Sequence, residues 1–257
     1  MEKINSFIKY DNHITPKPQG MDCELIAGKV YSLLCDRFSD ELYLKEDDDF
    51  SMPEKYYQSS EDKRFVNKVV NTFANTDKLT TGVMLSGIKG SGKTLMAKHI
   101  AKLSNVPIII VDKSVRAGEV ENFFARITID VCVIFDELDK YWSTSYLLGF
   151  LDGVKPTCKK LVICTCNEED EVSEYLNDRC SRIRYKRTFE SLGVDAVVGI
   201  LSDILDENRA IEVASFLVDN IDVISYDNVI VFGDEVKNNP NEPLESILED
   251  LNIEKKK

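Results

Sequence analysis

Gly87-Ile88-Lys89-Gly90-Ser91-Gly92-Lys93-Thr94, preceded by the apolar run Val83-Met84-Leu85 and followed by a helical stretch from Leu95, decides how this chain folds. The glycines let the backbone curl, so that successive N–H groups and the positive end of the following helix converge on one point, an arrangement suited to phosphate. In a strand–loop–helix setting, Lys93 reaches the β and γ phosphates of a nucleoside triphosphate, and the Thr94 hydroxyl ligates magnesium. The nucleotide contacts expected from this stretch are Gly87, Ile88, Lys89, Gly90, Ser91, Gly92, Lys93, Thr94 and Leu95, with ATP and Mg2+ as the implied cofactors.

Around the loop, strands and helices alternate. Apolar residues fall at helical spacing from Asp62 to Phe73, and strands are predicted at Gly82–Ser86, Pro107–Asp112, Val131–Asp136, Leu161–Cys166 and Arg182–Lys186. Helical stretches lie between them, the signature of a parallel sheet covered on both faces. Beyond Phe189 four amphipathic stretches follow: Val194–Leu205, Glu207–Asn220, Tyr226–Val236 and Pro243–Leu251. From Ile26 to Tyr57 the pattern is short and strand-like, with an acidic turn at Glu46–Asp49 that reads as a partner patch or a solvated turn. The expected division is therefore a β-rich module at 1–57, an α/β core at 58–188 and a helical region at 189–257.

Val131-Cys132-Val133-Ile134-Phe135-Asp136-Glu137 is a buried strand ending in two acids, which places both carboxylates at the sheet edge where the loop opens. Asp136 is expected to hold magnesium through its water shell, and Glu137 to take a proton from the attacking water. Leu161–Cys166 ends in Asn167, whose amide suits orienting that water. Twelve residues on stands Arg179, within Arg179-Cys180-Ser181-Arg182. A guanidinium there can stabilise transition-state charge, often from a neighbouring subunit.

The chain of 257 residues is 43% hydrophobic and 30% charged, a globular composition, and carries a formal net charge of −13. That charge disfavours nucleic acid as a partner. No apolar run approaches the ~18 residues a membrane helix needs, and Met1-Glu2-Lys3-Ile4 lacks a signal-peptide layout, so the expected location is cytoplasmic. Seven cysteines without a C-x2-C pair, and two histidines, read as reduced core thiols rather than a zinc site.

Taken together these residues resemble the AAA+ ATPases, and within them the core AAA clade of unfoldases and disassembly machines. Gly87–Thr94 is similar to Walker A and the strand ending Asp136-Glu137 to Walker B. Leu147-Leu148-Gly149-Phe150-Leu151-Asp152-Gly153 is similar to that clade's Leu-Leu-x-x-Leu-Asp-Gly. Thr165-Cys166-Asn167 is similar to sensor 1, and Arg179 with Arg182 to its paired arginines, both in catalytic roles alongside Lys93, Asn167 and Glu137. The compact form is also similar to ATPases encoded by large tailed bacteriophages. The resemblance implies a P-loop NTPase sheet of five parallel strands, order 5-1-4-3-2, flanked by helices, with a C-terminal helical lid. It further implies a homo-oligomeric ring, commonly a hexamer, acting on a protein partner. A clamp-loader-like or DNA-associated ATPase, and a nucleotide-gated scaffold, are the alternatives.

Three positions depart from or leave open that pattern. Arg116-Ala117-Gly118 stands where threading machines carry an aromatic-apolar-glycine pore loop. Tyr141-Trp142 either faces the pore or packs in the core. Tyr57, near the expected adenine pocket, is either a base contact or a packing residue.

Overall fold

Val131–Phe135 (β7) is buried at all five positions, and Lys160–Cys166 (β8) at all seven. Continuous runs of this kind have no solvent face, so they form only as central strands covered on both sides. The computed structural model describes residues 7–10, 12–16, 23–36, 41–50, 52, 57–142, 149–151, 158–167 and 182–256. Arg179, and most of the Leu147–Gly153 phrase, lie outside them.

In chain order the remaining strands are β1 (Phe7–Tyr10), β2 (His13–Pro16), β3 (Val30–Cys35), β4 (Leu42–Glu46), β5 (Thr80–Gly87), β6 (Ile108–Val111) and β9 (Tyr185–Phe189). They form one sheet in the order β1-β2-β4-β3-β6-β7-β8-β5-β9. The five strands of the expected core are β6-β7-β8-β5-β9, which read from the β9 edge is the anticipated 5-1-4-3-2. The pairs β6–β7, β7–β8 and β5–β8 are parallel.

The strand count needs correction, because the sheet does not end at β6. β3 pairs parallel with it in the register Val30↔Ile108 to Leu33↔Val111, and β4, β2 and β1 extend it antiparallel. Ile108 and Ile109 are fully buried, and a strand on that edge meets the backbone groups they would otherwise leave unpaired. The described N-terminal strands thus continue the core sheet. β9 begins three residues later than the predicted Arg182 start.

The chain divides into two compact units: Met1–Ser51, Arg64–Ser86 and Thr94–Thr188 in the first; Met52–Lys63, Gly87–Lys93 and Phe189–Lys257 in the second. The first carries the sheet, the body of α1 (Ser60–Asn75) and α2 (Lys93–Leu103), and α3 (Ala117–Phe124) and α4 (Leu138–Tyr141). Its core includes an aromatic group in which Phe135 meets Trp142 edge-on at 5.3 Å and Phe150 at 5.8 Å. Such pairs add roughly 0.5–1.5 kcal/mol each beyond the area they bury. Trp142 is 6% exposed, which settles its reading as a core residue, whereas Tyr141 is 47% exposed. Arg116 is exposed at the position before α3 and makes no capping bond. The buried cysteines are free thiols, and burial pushes Cys164 up to about 12 and Cys132 higher still.

The second unit holds α5 (Val194–Leu201), α6 (Glu207–Asn220), α7 (Tyr226–Asn238) and α8 (Leu244–Asp250). Helix starts follow their caps: Asp206 accepts from the Arg209 N–H, and Ser225 from the Asn228 N–H. Val229, Phe232, Gly233 and Val236 form the buried stripe of α7. A Cβ on Gly233 would stand 2.8 Å from Leu201, so glycine there permits close approach of α5. Arg209 pairs with Glu212 of the same helix at 2.8 Å.

Candidate functional site

In the first unit, the chain leaves β7 at Asp136 and turns sharply at Glu137, whose φ of 52° and ψ of 53° lie in the left-handed region. A non-glycine residue held there costs on the order of 1–2 kcal/mol, so something must hold it. Thr165, on the adjacent strand β8 and 1% exposed, does so from both sides. Its hydroxyl donates to Asp136 Oδ1 at 2.5 Å and accepts the Glu137 N–H at 2.9 Å. Thr94, at the start of α2, donates its hydroxyl to the same Asp136 oxygen at 3.0 Å. One carboxylate therefore collects two threonine hydroxyls.

Lys140 and Asn167 follow the same ends of β7 and β8. Lys140, one helical turn on from Glu137, pairs with the Glu137 Oε1, and this hydrogen bond is the main cause of the raised lysine pKa. Asn167 is the first residue beyond the end of β8. Its backbone N–H donates to Asp139 Oδ2 at 3.1 Å, while its side-chain Nδ2 is buried without a hydrogen-bond partner among the described residues. Buried amide donors are normally paired, and leaving one orphaned costs about 1–3 kcal/mol. A donor so placed suits an oxygen acceptor brought by a ligand or an ordered water.

In the second unit, Gly87, Gly90 and Gly92 adopt φ values of 124°, 71° and 92°. At Gly87 the need is also steric: a Cβ would stand 2.0 Å from the Phe189 carbonyl oxygen, which accepts the Ile88 N–H at 3.1 Å. Ser91 Oγ donates to the Ile88 carbonyl at 2.7 Å. Lys93, 7% exposed, folds its ammonium onto its own loop, donating to the carbonyls of Gly87 at 2.8 Å and Ile88 at 2.6 Å. Lys89 is exposed and Leu95 half-buried.

The residues present fit the cofactors the sequence implies. A threonine hydroxyl beside a carboxylate is a hard oxygen donor set of the kind magnesium prefers. The buried lysine and a loop of left-handed glycines supply the donors a phosphate requires. Among the described residues there is no group of three or more His, Cys, Asp or Glu that could hold a metal ion.

The other expected residues fall as follows. Arg182 is 6% exposed in the first unit, its carbonyl oxygen 1.9 Å from where a Cβ on Gly82 would stand. Arg179 lies outside the described residues. Tyr57 packs its ring against Gly199 of α5, and its backbone hydrogen-bonds Tyr226, opposing the upward shift that burial gives that phenol. Thr165, Lys140 and the Ser225–Asp227 turn, which also touches the loop, were not marked as site residues by the sequence. Thr165 alone left a signal, a hydroxyl residue at the end of an otherwise apolar run.

Comparison with known proteins bears on the family alone. Residues 83–188 match the model of the "ATPase family associated with various cellular activities (AAA)". The chain is also similar to the ATP-dependent zinc metalloprotease FtsH of Metamycoplasma arthritidis (strain 158L3-1), 28% identical over 145 residues. That alignment covers 44% of this chain and spans only 20% of the length of the relative. Over residues 83–188, by sequence match and by the residues of its site, the chain is similar to the AAA ATPases.

Proposed function

We propose that the chain binds ATP with magnesium and hydrolyses it, as a homo-oligomeric ring that remodels a protein partner. The observation that carries the catalytic reading is the constellation Thr94–Asp136–Thr165–Glu137, in which one Asp136 oxygen collects both threonine hydroxyls and Thr165 also holds the backbone of Glu137. In this reading Lys93 exchanges its loop carbonyls for phosphate oxygens, and Thr94 and Asp136 hold the metal. Bound magnesium would neutralise charge on the phosphates. Glu137 accepts a proton from the attacking water, and Asn167 Nδ2 orients that water or the terminal phosphate oxygen. Arg179, offered by a neighbouring subunit, stabilises charge as the terminal phosphoryl group leaves.

The relative's name includes proteolysis with zinc, and that activity is not part of this proposal. A protein rather than a nucleic-acid partner accords with the net charge of −13. No helix among the described residues is long and apolar enough to cross a membrane. The proposal includes a cytoplasmic location.

Phosphate release measured on the wild-type chain and on Glu137→Gln tests the reading. The wild type is expected to turn over ATP, and the variant to bind ATP but release at least about 10²-fold less phosphate, the range of general-base contributions. Equal turnover in both would remove Glu137 from its role.

A further inference from the structure

Gly90, at the crest of the phosphate loop, is not open to solvent on its outer side. A Cβ placed there would stand 2.9 Å from Asp227 Oδ2, 3.3 Å from Asp227 Cβ and 3.0 Å from Ser225 Oγ. The Asp227 N–H donates to the Gly90 carbonyl at 3.1 Å, and Ser225, 5% exposed, caps the first turn of α7 through the Asn228 N–H. The cap and the backbone bond fix the Asp227 backbone against the loop, and its exposed side chain lies where a Cβ on Gly90 would meet it. The phenol of the next residue back, Tyr226, is raised chiefly by burial, and Asp203 and Asp227 add to that shift. On the loop itself the cations are Lys89, which is exposed, and Lys93, whose ammonium is turned onto the carbonyls of Gly87 and Ile88.

An acid in this place opposes what the loop is built for. The loop gathers N–H groups and a lysine to attract anions, while a carboxylate in contact with its crest raises the energy of any phosphate bound there. Resting on the reading of Gly87–Thr94 as a phosphate loop, we propose that Asp227 is a positioning residue that sets nucleotide affinity: it weakens polyphosphate binding and couples occupancy of the loop to the seating of α7 on Gly90. Binding of a nucleotide then strains the Asp227–Gly90 contact, and release restores it. A first-turn acid also favours its own helix through the dipole, a role that would act on stability and not on nucleotide affinity.

The test is titration of the full chain with MgADP and with a slowly hydrolysed MgATP analogue, comparing wild type, Asp227→Asn and Asp227→Glu. Asp227→Asn, close in shape but neutral, is expected to bind both nucleotides roughly ten-fold tighter at low salt, the gain shrinking as salt rises. Asp227→Glu, which keeps the charge, should not tighten. A second neutral variant, Asp227→Ser, gives the same reading should the asparagine fail to fold. Equal or weaker binding by a folded neutral variant, with the wild type binding normally, would overturn the role of Asp227 alone. A folded wild type that binds neither nucleotide would overturn the phosphate-loop reading and this inference with it.

Discussion

Replacing Thr165 by valine tests how the two acids after β7 are held. The substitution keeps the branched shape in a site that is 1% exposed but removes the hydroxyl. Two bonds go with it: the 2.5 Å bond to the Asp136 carboxylate and the 2.9 Å bond from the Glu137 N–H. A bond to a charged group is worth about 1.5–3 kcal/mol, and leaving the N–H unpaired costs about 1–3 kcal/mol. The two losses overlap, because Glu137 is free to leave its left-handed conformation once its anchor is gone and so recovers part of that strain. The net expectation is about 2–4 kcal/mol. In a chain of this size that lowers the unfolding midpoint of the sheet-bearing unit by about 5–12 °C. Hydrolysis should fall further than stability implies, by about 10²-fold in kcat, because both acids lose their placement. Thr165→Ser, which keeps the hydroxyl, should restore most of the rate. Thermal unfolding and steady-state phosphate release on the three proteins read both effects. A valine variant with unchanged midpoint and unchanged kcat would refute the reasoning.

Three other outcomes follow from the same structure. Gly82→Ala places a methyl carbon 1.9 Å from the backbone oxygen of Arg182 and disturbs the 2.9 Å bond from Arg184 N–H to Gly82 O. It should lower the denaturant midpoint by the equivalent of about 1–3 kcal/mol or more. His99 has its pKa lowered by burial, so the unfolded chain binds the proton more readily than the folded one. Its contribution to stability is present above the unfolded value of about 6.5 and is lost as pH falls below it. The stability difference between wild type and His99→Gln, measured from pH 7 to 5, should therefore move against the wild type. Arg179→Ala should keep ATP binding nearly intact while slowing hydrolysis by roughly 10³-fold or more, and a wild-type monomer that hydrolyses as fast when dilute would contradict its supply from a neighbour.

The central strands were legible because burial on both faces leaves an uninterrupted apolar run, as in Val-Cys-Val-Ile-Phe of β7. The Gly87–Thr94 loop was legible because its glycines are dictated by backbone geometry that other residues adopt at a cost. The C-terminal helices were legible through their apolar spacing, and the structure adds that Asp206 and Ser225 cap two of them. What stayed hidden was long-range pairing. Nothing in Val30–Cys35 says which edge it joins, so a strand that continues the sheet beside β6 read as part of a separate module. β1 and β2, four residues each, are too short for alternation to stand out. The bonds of Thr165 to Asp136 and Glu137 were not legible for the same reason: it lies 29 and 28 residues away and meets them only because β7 and β8 are neighbours. Asp227 meets Gly90 across an even longer loop of chain.

The most direct measurement is a crystal structure of the Glu137→Gln chain grown with MgATP. The account predicts phosphates enclosed by the backbone of Gly87–Thr94, the Lys93 ammonium moved from the Gly87 and Ile88 carbonyls onto phosphate oxygen, and a metal ion beside Thr94 and Asp136. A triphosphate bound elsewhere, or a loop with Lys93 still closed on its own carbonyls at saturating nucleotide, would contradict it.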